Sequence, residues 1–329
     1  MKFRKEYIGL LAIIALLSLY IVFRNSDRTH YELPESDAVK RENVTKIVIS
    51  REGEQIDGES IGSKSILLER SDEKWNIGPA GYPADKAAVD KMLDALEKFS
   101  LMTLVAESKN YSLYELEDRM RIKLEVFAGP DLILALDVGK AVSTRRHTFV
   151  RLEGDDDIYQ ANGNLRQVFD TGIDRLRDKT AVSINRDEVS GLTLMTTEGV
   201  IELTKTPEDA LSALSSEGDA AVASTVPPWT TVDGLPADEK VIDQIVNALA
   251  NLKCESYIEG RSKDELGDPL YTIVVKMPVS VILSIYAIEN DKYPAFSSQN
   301  GYPFYLQKSR AEQIMKGKSE IIPDETSEK

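Results

Sequence analysis

The chain is 329 residues long and acidic, with 55 Asp and Glu against 40 Lys and Arg and a formal net charge of −15. Clustered cations are what a nucleic acid selects, so this balance excludes nucleic acid as a partner. The single cysteine, Cys254, rules out an intrachain disulfide, and two histidines far apart in sequence, His30 and His147, give neither a zinc ligand set nor a His-based triad.

Residues 7–23, YIGLLAIIALLSLYIVF, are apolar except for Ser18. At about 1.5 Å per helical residue they reach roughly 25 Å, enough to cross a hydrocarbon core with modest bilayer adjustment. The sequence therefore predicts a transmembrane helix, with membrane lipid as its partner through residues 7–23. Lys2, Arg4 and Lys5 resemble the basic start of a secretory signal, but no small-x-small cleavage pattern follows, which favours a retained anchor. Their position ahead of the helix places the N-terminus inside and the rest outside, in the periplasm or extracellular space of a bacterial inner membrane. Residues 1–24 carry +3, so the exterior part carries −18. Residues 25–45 read as a polar juxtamembrane connector.

Beyond the connector the sequence repeats at an offset near 153. WNIGPAGYPADKAAVDKMLDALEKFSL starts at Trp75, and WTTVDGLPADEKVIDQIVNALANLKC starts at Trp229. Asp85 and Asp238, each after Pro-Ala, are expected to cap helices whose apolar faces match: Val89, Met92, Leu93, Leu96 and Phe99 against Ile242, Ile245, Val246, Leu249 and Leu252. Trp75 and Trp229 are expected to pack beneath those helices.

Strand-like runs precede each helix, at 46–50, 65–69 and 74–77 and at 191–196, 200–204 and 229–232. More follow, with Ile122, Leu124, Val126, Leu132, Leu134 and Leu136 alternating in the first copy and 272–277 and 279–286 in the second. Turns are expected at 128–131, at 154–157 and at Asn300-Gly301. Phe149 is matched with Phe296, Tyr159 with Tyr305, and a closing helix at 164–169 with one at 310–315. The predicted fold is α+β: a transmembrane helix, then two tandem repeats at 46–180 and 181–316, each a mainly antiparallel sheet with a covering helix. Residues 206–227 form an insert in the second repeat, and 317–329 a disordered tail.

No constellation of catalytic residues emerges, and no cofactor-binding or metal-binding residues are assigned. Asp155, Asp156 and Asp157 lack the alternating spacing of a calcium loop and read as a solvated turn. Phosphate-cradling and nucleophile-elbow motifs do not occur. Cys254, at the end of an apolar helical pattern, reads as core. Arg145, Arg146 and His147 mark only the first copy, whose equivalents near Lys292 and Tyr293 hold no arginine pair; they are the candidate partner contact.

The stretch 47–179 resembles the DUF4340 family. The resemblance is carried by the YPADKAAVDKMLDALEKFSL core, NYSLYEL at 110–116, LDVGK at 136–140, HTFVRL at 147–152, IYQA at 158–161 and RLRDK at 175–179. The second copy lacks clear equivalents of LDVGK and RLRDK. The resemblance implies a bacterial envelope protein with one N-terminal membrane helix, encoded beside ABC transporter subunits of the gliding-motility type. It further implies an accessory, non-enzymatic role beside a permease or an extracytoplasmic subunit. The alternative reading from the residues is a cell-wall or glycan-processing enzyme with paired carboxylates. A soluble-ligand sensor or adhesion module is a third.

Overall fold

The computed structural model describes residues 33–34, 38–52, 54–56, 59–61, 64–107, 109–206 and 228–322, together with 9 and 13–20. Residues 13–20 are helical and exposed, and among the described residues no helix is long and apolar enough to cross a membrane. The rest of the 7–23 run, most of the connector before residue 38, the insert at 207–227 and the tail from 323 lie outside the described residues. The chain divides into two compact units, Met1–Gly81 with Lys86–Ile173 and Tyr82–Asp85 with Asp174–Lys329. The sequence-based boundary after residue 180 thus falls inside the second unit, which also takes in Tyr82–Asp85.

The first unit is an antiparallel sheet of β1 (Lys46–Arg51), β2 (Lys64–Ser71), β3 (Lys74–Gly78), β4 (Leu101–Ala106), β5 (Ile122–Ala128), β6 (Asp131–Ala141), β7 (His147–Leu152) and β8 (Ile158–Asn162), in the order β3-β2-β1-β5-β6-β7-β8-β4. Alternation sets which face is inner: Ile47, Ile49, Ile122, Leu124, Val126, Leu134, Leu136 and Val138 are all buried. Helix α1 (Lys86–Glu97) lays Val89, Met92, Leu93 and Leu96 on the core, each contributing about 2 kcal/mol by area removed from water. Its outer side is tied by Arg41, whose guanidinium donates to Asp90 at 2.8 Å and Asp94 at 3.0 Å. The short helix α2 (Leu165–Phe169) is capped by Asn164, and Thr148 Oγ1, fully buried, accepts from Leu165 N at 2.9 Å to fix where it starts.

The second unit repeats this plan. Its strands β10 (Gly191–Thr196), β11 (Gly199–Lys205), β12 (Trp229–Thr231), β14 (Ser256–Tyr257), β15 (Tyr271–Lys276), β16 (Val281–Ile285), β17 (Lys292–Ser297) and β18 (Phe304–Gln307) pair in the order β12-β11-β10-β15-β16-β17-β18-β14. A lead-in strand, β9 (Thr180–Ser183), pairs with β13 (Asn251–Lys253). Helix α3 (Glu239–Ala250) buries Ile242, Ile245, Val246 and Leu249, and Asp238 caps it by accepting from Lys240 N and Val241 N. Helices α4 (Lys308–Ile314) and α5 (Lys318–Ile321) close the unit. The likeness extends to single bonds, since Asp85 N donates to Leu176 O at 2.6 Å and Asp238 N to Ile321 O at 2.8 Å.

Register corrects several sequence matches. Val150 pairs with Val138 as Ala295 pairs with Ile285, so Phe296 stands where the first copy has Arg151, and Phe149 corresponds to Pro294. Tyr159 corresponds to Phe304, one residue before Tyr305, and both are fully buried. The offset is 153 at the helices but 145 along these strands, because loops differ in length between the copies. Leu132, expected inward by alternation, is 46% exposed: a register shift at Val126/Phe127 breaks the period at that end of β6. Trp229 is buried on β12, whereas Trp75 on β3 is only half-buried.

Candidate functional site

The outer face of the first sheet carries an unexpected row of charge. Lys123 on β5, Asp137 on β6 and Arg151 on β7 are cross-strand neighbours, and Arg121 immediately precedes β5. Asp137 is 7% exposed, and its Oδ2 accepts from Arg121 Nη1 at 2.9 Å, from Arg151 Nε at 3.1 Å and from Arg151 Nη2 at 2.5 Å. Such charge-assisted bonds are strong and directional, so they fix both guanidinium planes. Arg121 is also paired with Asp118 at 2.7 Å. The Arg151 guanidinium lies 4.5 Å from the centroid of the Tyr111 ring. Burial on its own would lower the Arg151 pKa, but the bonds to Asp137 and Tyr111 outweigh it and raise it.

Around this triad runs a polar cleft of about 390 Å3, closed by the β7–β8 hairpin with Glu153, Asp155 and Asp156. Each rim carboxylate has a partner: Glu153 pairs with Lys123, Asp155 accepts from Tyr159 Oη at 2.6 Å, and Asp156 pairs with Lys109. Lys109 and Tyr111 hold the Asp156 carboxyl below its ordinary pKa.

Two of the sequence motifs line the cleft and two brace it. NYSLYEL provides Tyr111 and LDVGK provides Asp137, while HTFVRL contributes Arg151 and IYQA the Tyr159 that holds Asp155. Gly139 of LDVGK is demanded by packing, since a Cβ there would lie 2.3 Å from the Tyr114 carbonyl oxygen. By register the second copy places Ser284 opposite Asp137 and Phe296 opposite Arg151, with Leu270 before β15 in place of Arg121. The inner faces of the two sheets are alike; the outer faces are not.

RLRDK has a different task. Within the second unit, Arg177 is 5% exposed, donates to Glu259 at 2.7 Å and Asp174 at 3.2 Å, and lies 4.2 Å over the Tyr82 ring. Asp178 N donates to Pro83 O, Asp178 O accepts from Tyr257 Oη, and Lys179 Nζ caps the Glu255 carbonyl. This segment is a clasp that holds Tyr82–Asp85 and the chain after α3 to one another.

The predicted contact residues sit elsewhere. Arg145 and Arg146 are exposed at the β6–β7 turn, where Arg145 adopts φ 56°, and His147 opens β7 half-buried, with a buried Nδ1 that has no partner among the described residues. Their register equivalents are Asn290, Asp291 and Lys292, two residues before the expected place, and Asn290 repeats the left-handed turn at φ 49°. Cys254 is buried, and burial pushes its thiol up to about 11. Among the described residues no group of three or more His, Cys, Asp and Glu is placed to hold a metal ion. The Arg121–Asp137–Arg151 row was missed because its members are 14 to 16 residues apart and only β-register brings them together.

Fold and site together define a duplicated antiparallel α+β protein in which one copy carries an Arg–Asp–Arg row where the other has Leu270, Ser284 and Phe296. The chain belongs to the DUF4340 family, a domain of unknown function, whose model matches residues 75–269. The match starts later than the 47–179 stretch and runs on into the second copy, taking in Trp75, Asp85, Trp229 and Asp238. No curated protein and no solved structure matches the chain.

Proposed function

We propose that this chain is a membrane-anchored extracytoplasmic accessory or scaffold subunit of an ABC-type transport or gliding-motility-like envelope complex, acting by binding and not by catalysis. The observation that carries this reading is the one-sided elaboration of a duplicated scaffold. A charged row and cleft are added to one sheet while the inner core of both copies stays the same, as expected where a surface is adapted for recognition. Every cleft carboxylate is engaged by a cation or a hydroxyl, which suits a fixed recognition surface better than a glycosidase needing one carboxyl free as acid. The apolar run at 7–23 supports a tether that confines the chain near a permease and raises its effective concentration there. The exposed Arg145 and Arg146 at the β6–β7 turn are the protein-contact candidates.

The test is purification of the full chain from membranes in mild detergent, with mass spectrometric identification of what accompanies it. A permease or extracytoplasmic transporter subunit at stoichiometric level is the expected result, reduced in Arg145→Glu/Arg146→Glu. Recovery of the chain alone, under conditions that keep other envelope complexes intact, contradicts the proposal.

A further inference from the structure

From the geometry of the first-copy cleft we infer that it is a binding site for a neutral, hydroxyl-rich ligand, a saccharide. This rests on the binding role proposed above and gives the cleft its ligand class. The volume of about 390 Å3 suits one or two sugar rings.

Asp137 is more than nine-tenths buried and lines the cleft, yet all of its hydrogen bonds converge on Oδ2. Oδ1 has no protein donor among the described residues and is not one of the buried unpartnered atoms, so it is an acceptor open to whatever fills the cleft. A ligand that displaces water from the cleft has to supply a hydrogen there. An ammonium or guanidinium group is disfavoured, because two guanidinium groups already bond the same carboxylate through Oδ2. A phosphate or carboxylate is disfavoured too, because the lining sets Arg121, Lys123 and Arg151 against Asp137, Glu153, Asp155 and Asp156.

A hydroxyl satisfies both demands, donating to Asp137 Oδ1 while accepting from a guanidinium beside it. Vicinal hydroxyls repeat that pairing along a row where donors and acceptors alternate, Lys123, Asp137 and Arg151. A peptide backbone fits less well. β5, β6 and β7 are interior strands paired on both edges, so no open ladder awaits an added strand. The second copy, with Leu270, Ser284 and Phe296 at these positions, has no such pairing.

The experiment is saturation-transfer NMR on the full chain in a detergent without a sugar head group, using neutral disaccharides built from glucose, galactose and N-acetylglucosamine. Inorganic phosphate and spermidine serve as charged probes, read by competition. Saturation transfer from at least one neutral disaccharide is expected, with binding weakened about tenfold or more in Arg121→Leu/Asp137→Ser/Arg151→Phe, which installs the second copy's residues. Lys123→Met leaves the triad in place and is expected to weaken binding by a smaller factor, so the site stays testable if the triple variant misfolds. No transfer from any disaccharide overturns the inference, as does equal transfer in both variants or displacement by phosphate or spermidine. Co-purification with transporter subunits should survive the triple substitution; its loss only in that variant would make the cleft a protein contact and overturn the inference, whereas its absence from the parent chain as well would count against the anchored-scaffold reading and not against the saccharide site.

Discussion

Gly139 sits where the Tyr114 carbonyl presses on β6, and an added methyl group would lie 2.3 Å from that oxygen. Gly139→Ala is therefore expected to cost about 3 kcal/mol or to displace the 111–114 turn, read as a lower urea midpoint. Asp238 accepts from two amides of the first turn of α3, so Asp238→Ala should cost about 1 kcal/mol in the same measurement. Burial pushes the Cys254 thiol up to about 11 and the Tyr257 phenol up to about 12. Both groups lose their proton more readily in the unfolded chain, near their ordinary values of 9.0 and 10.0. Their contribution to stability is thus full below pH 9 and is lost as pH rises through about 11 to 12. Urea midpoints should fall across that window, and Cys254→Ala should remove part of the slope. A flat profile contradicts the buried placement of both groups.

Elements were more legible in the sequence than the contacts between them. The helices at Lys86–Glu97 and Glu239–Ala250 announce themselves through a Pro-Ala-Asp start and a spacing of three and four, because both signals are local. Strands such as Lys46–Arg51 and Gly191–Thr196 follow from alternation for the same reason. Register is not local, which is why Phe149 and Phe296 were matched although they stand two positions apart in the repeat. The same limit hid the outer-face row, whose residues read one at a time as ordinary surface charges. Asp137 is the keystone of that row. Removing its carboxylate leaves two flanking guanidinium groups without their shared acceptor, so Asp137→Ala should cost about 3 kcal/mol by urea denaturation. An effect near zero would mean that solvent already screens the cluster.

At the scale of the whole molecule, duplication explains why the inner faces agree while the outer faces differ. Burial in the core constrains Ile47 and Leu192, or Leu124 and Ile273, to apolar types, whereas the outer face accepts polar side chains of different charge, as at Asp137 and Ser284. The account then depends on where that outer face is displayed. Val279 is 78% exposed in the second unit, and Cys254, the only thiol, is buried. A Val279→Cys chain thus carries a single reactive probe, with the parent chain as a silent control. The decisive measurement is labelling of this variant with a membrane-impermeant maleimide in intact spheroplasts. The anchored, outward-facing arrangement predicts labelling without permeabilisation, to the level reached in lysed cells. Labelling that appears only after the membrane is opened would place both repeats in the cytosol and contradict it.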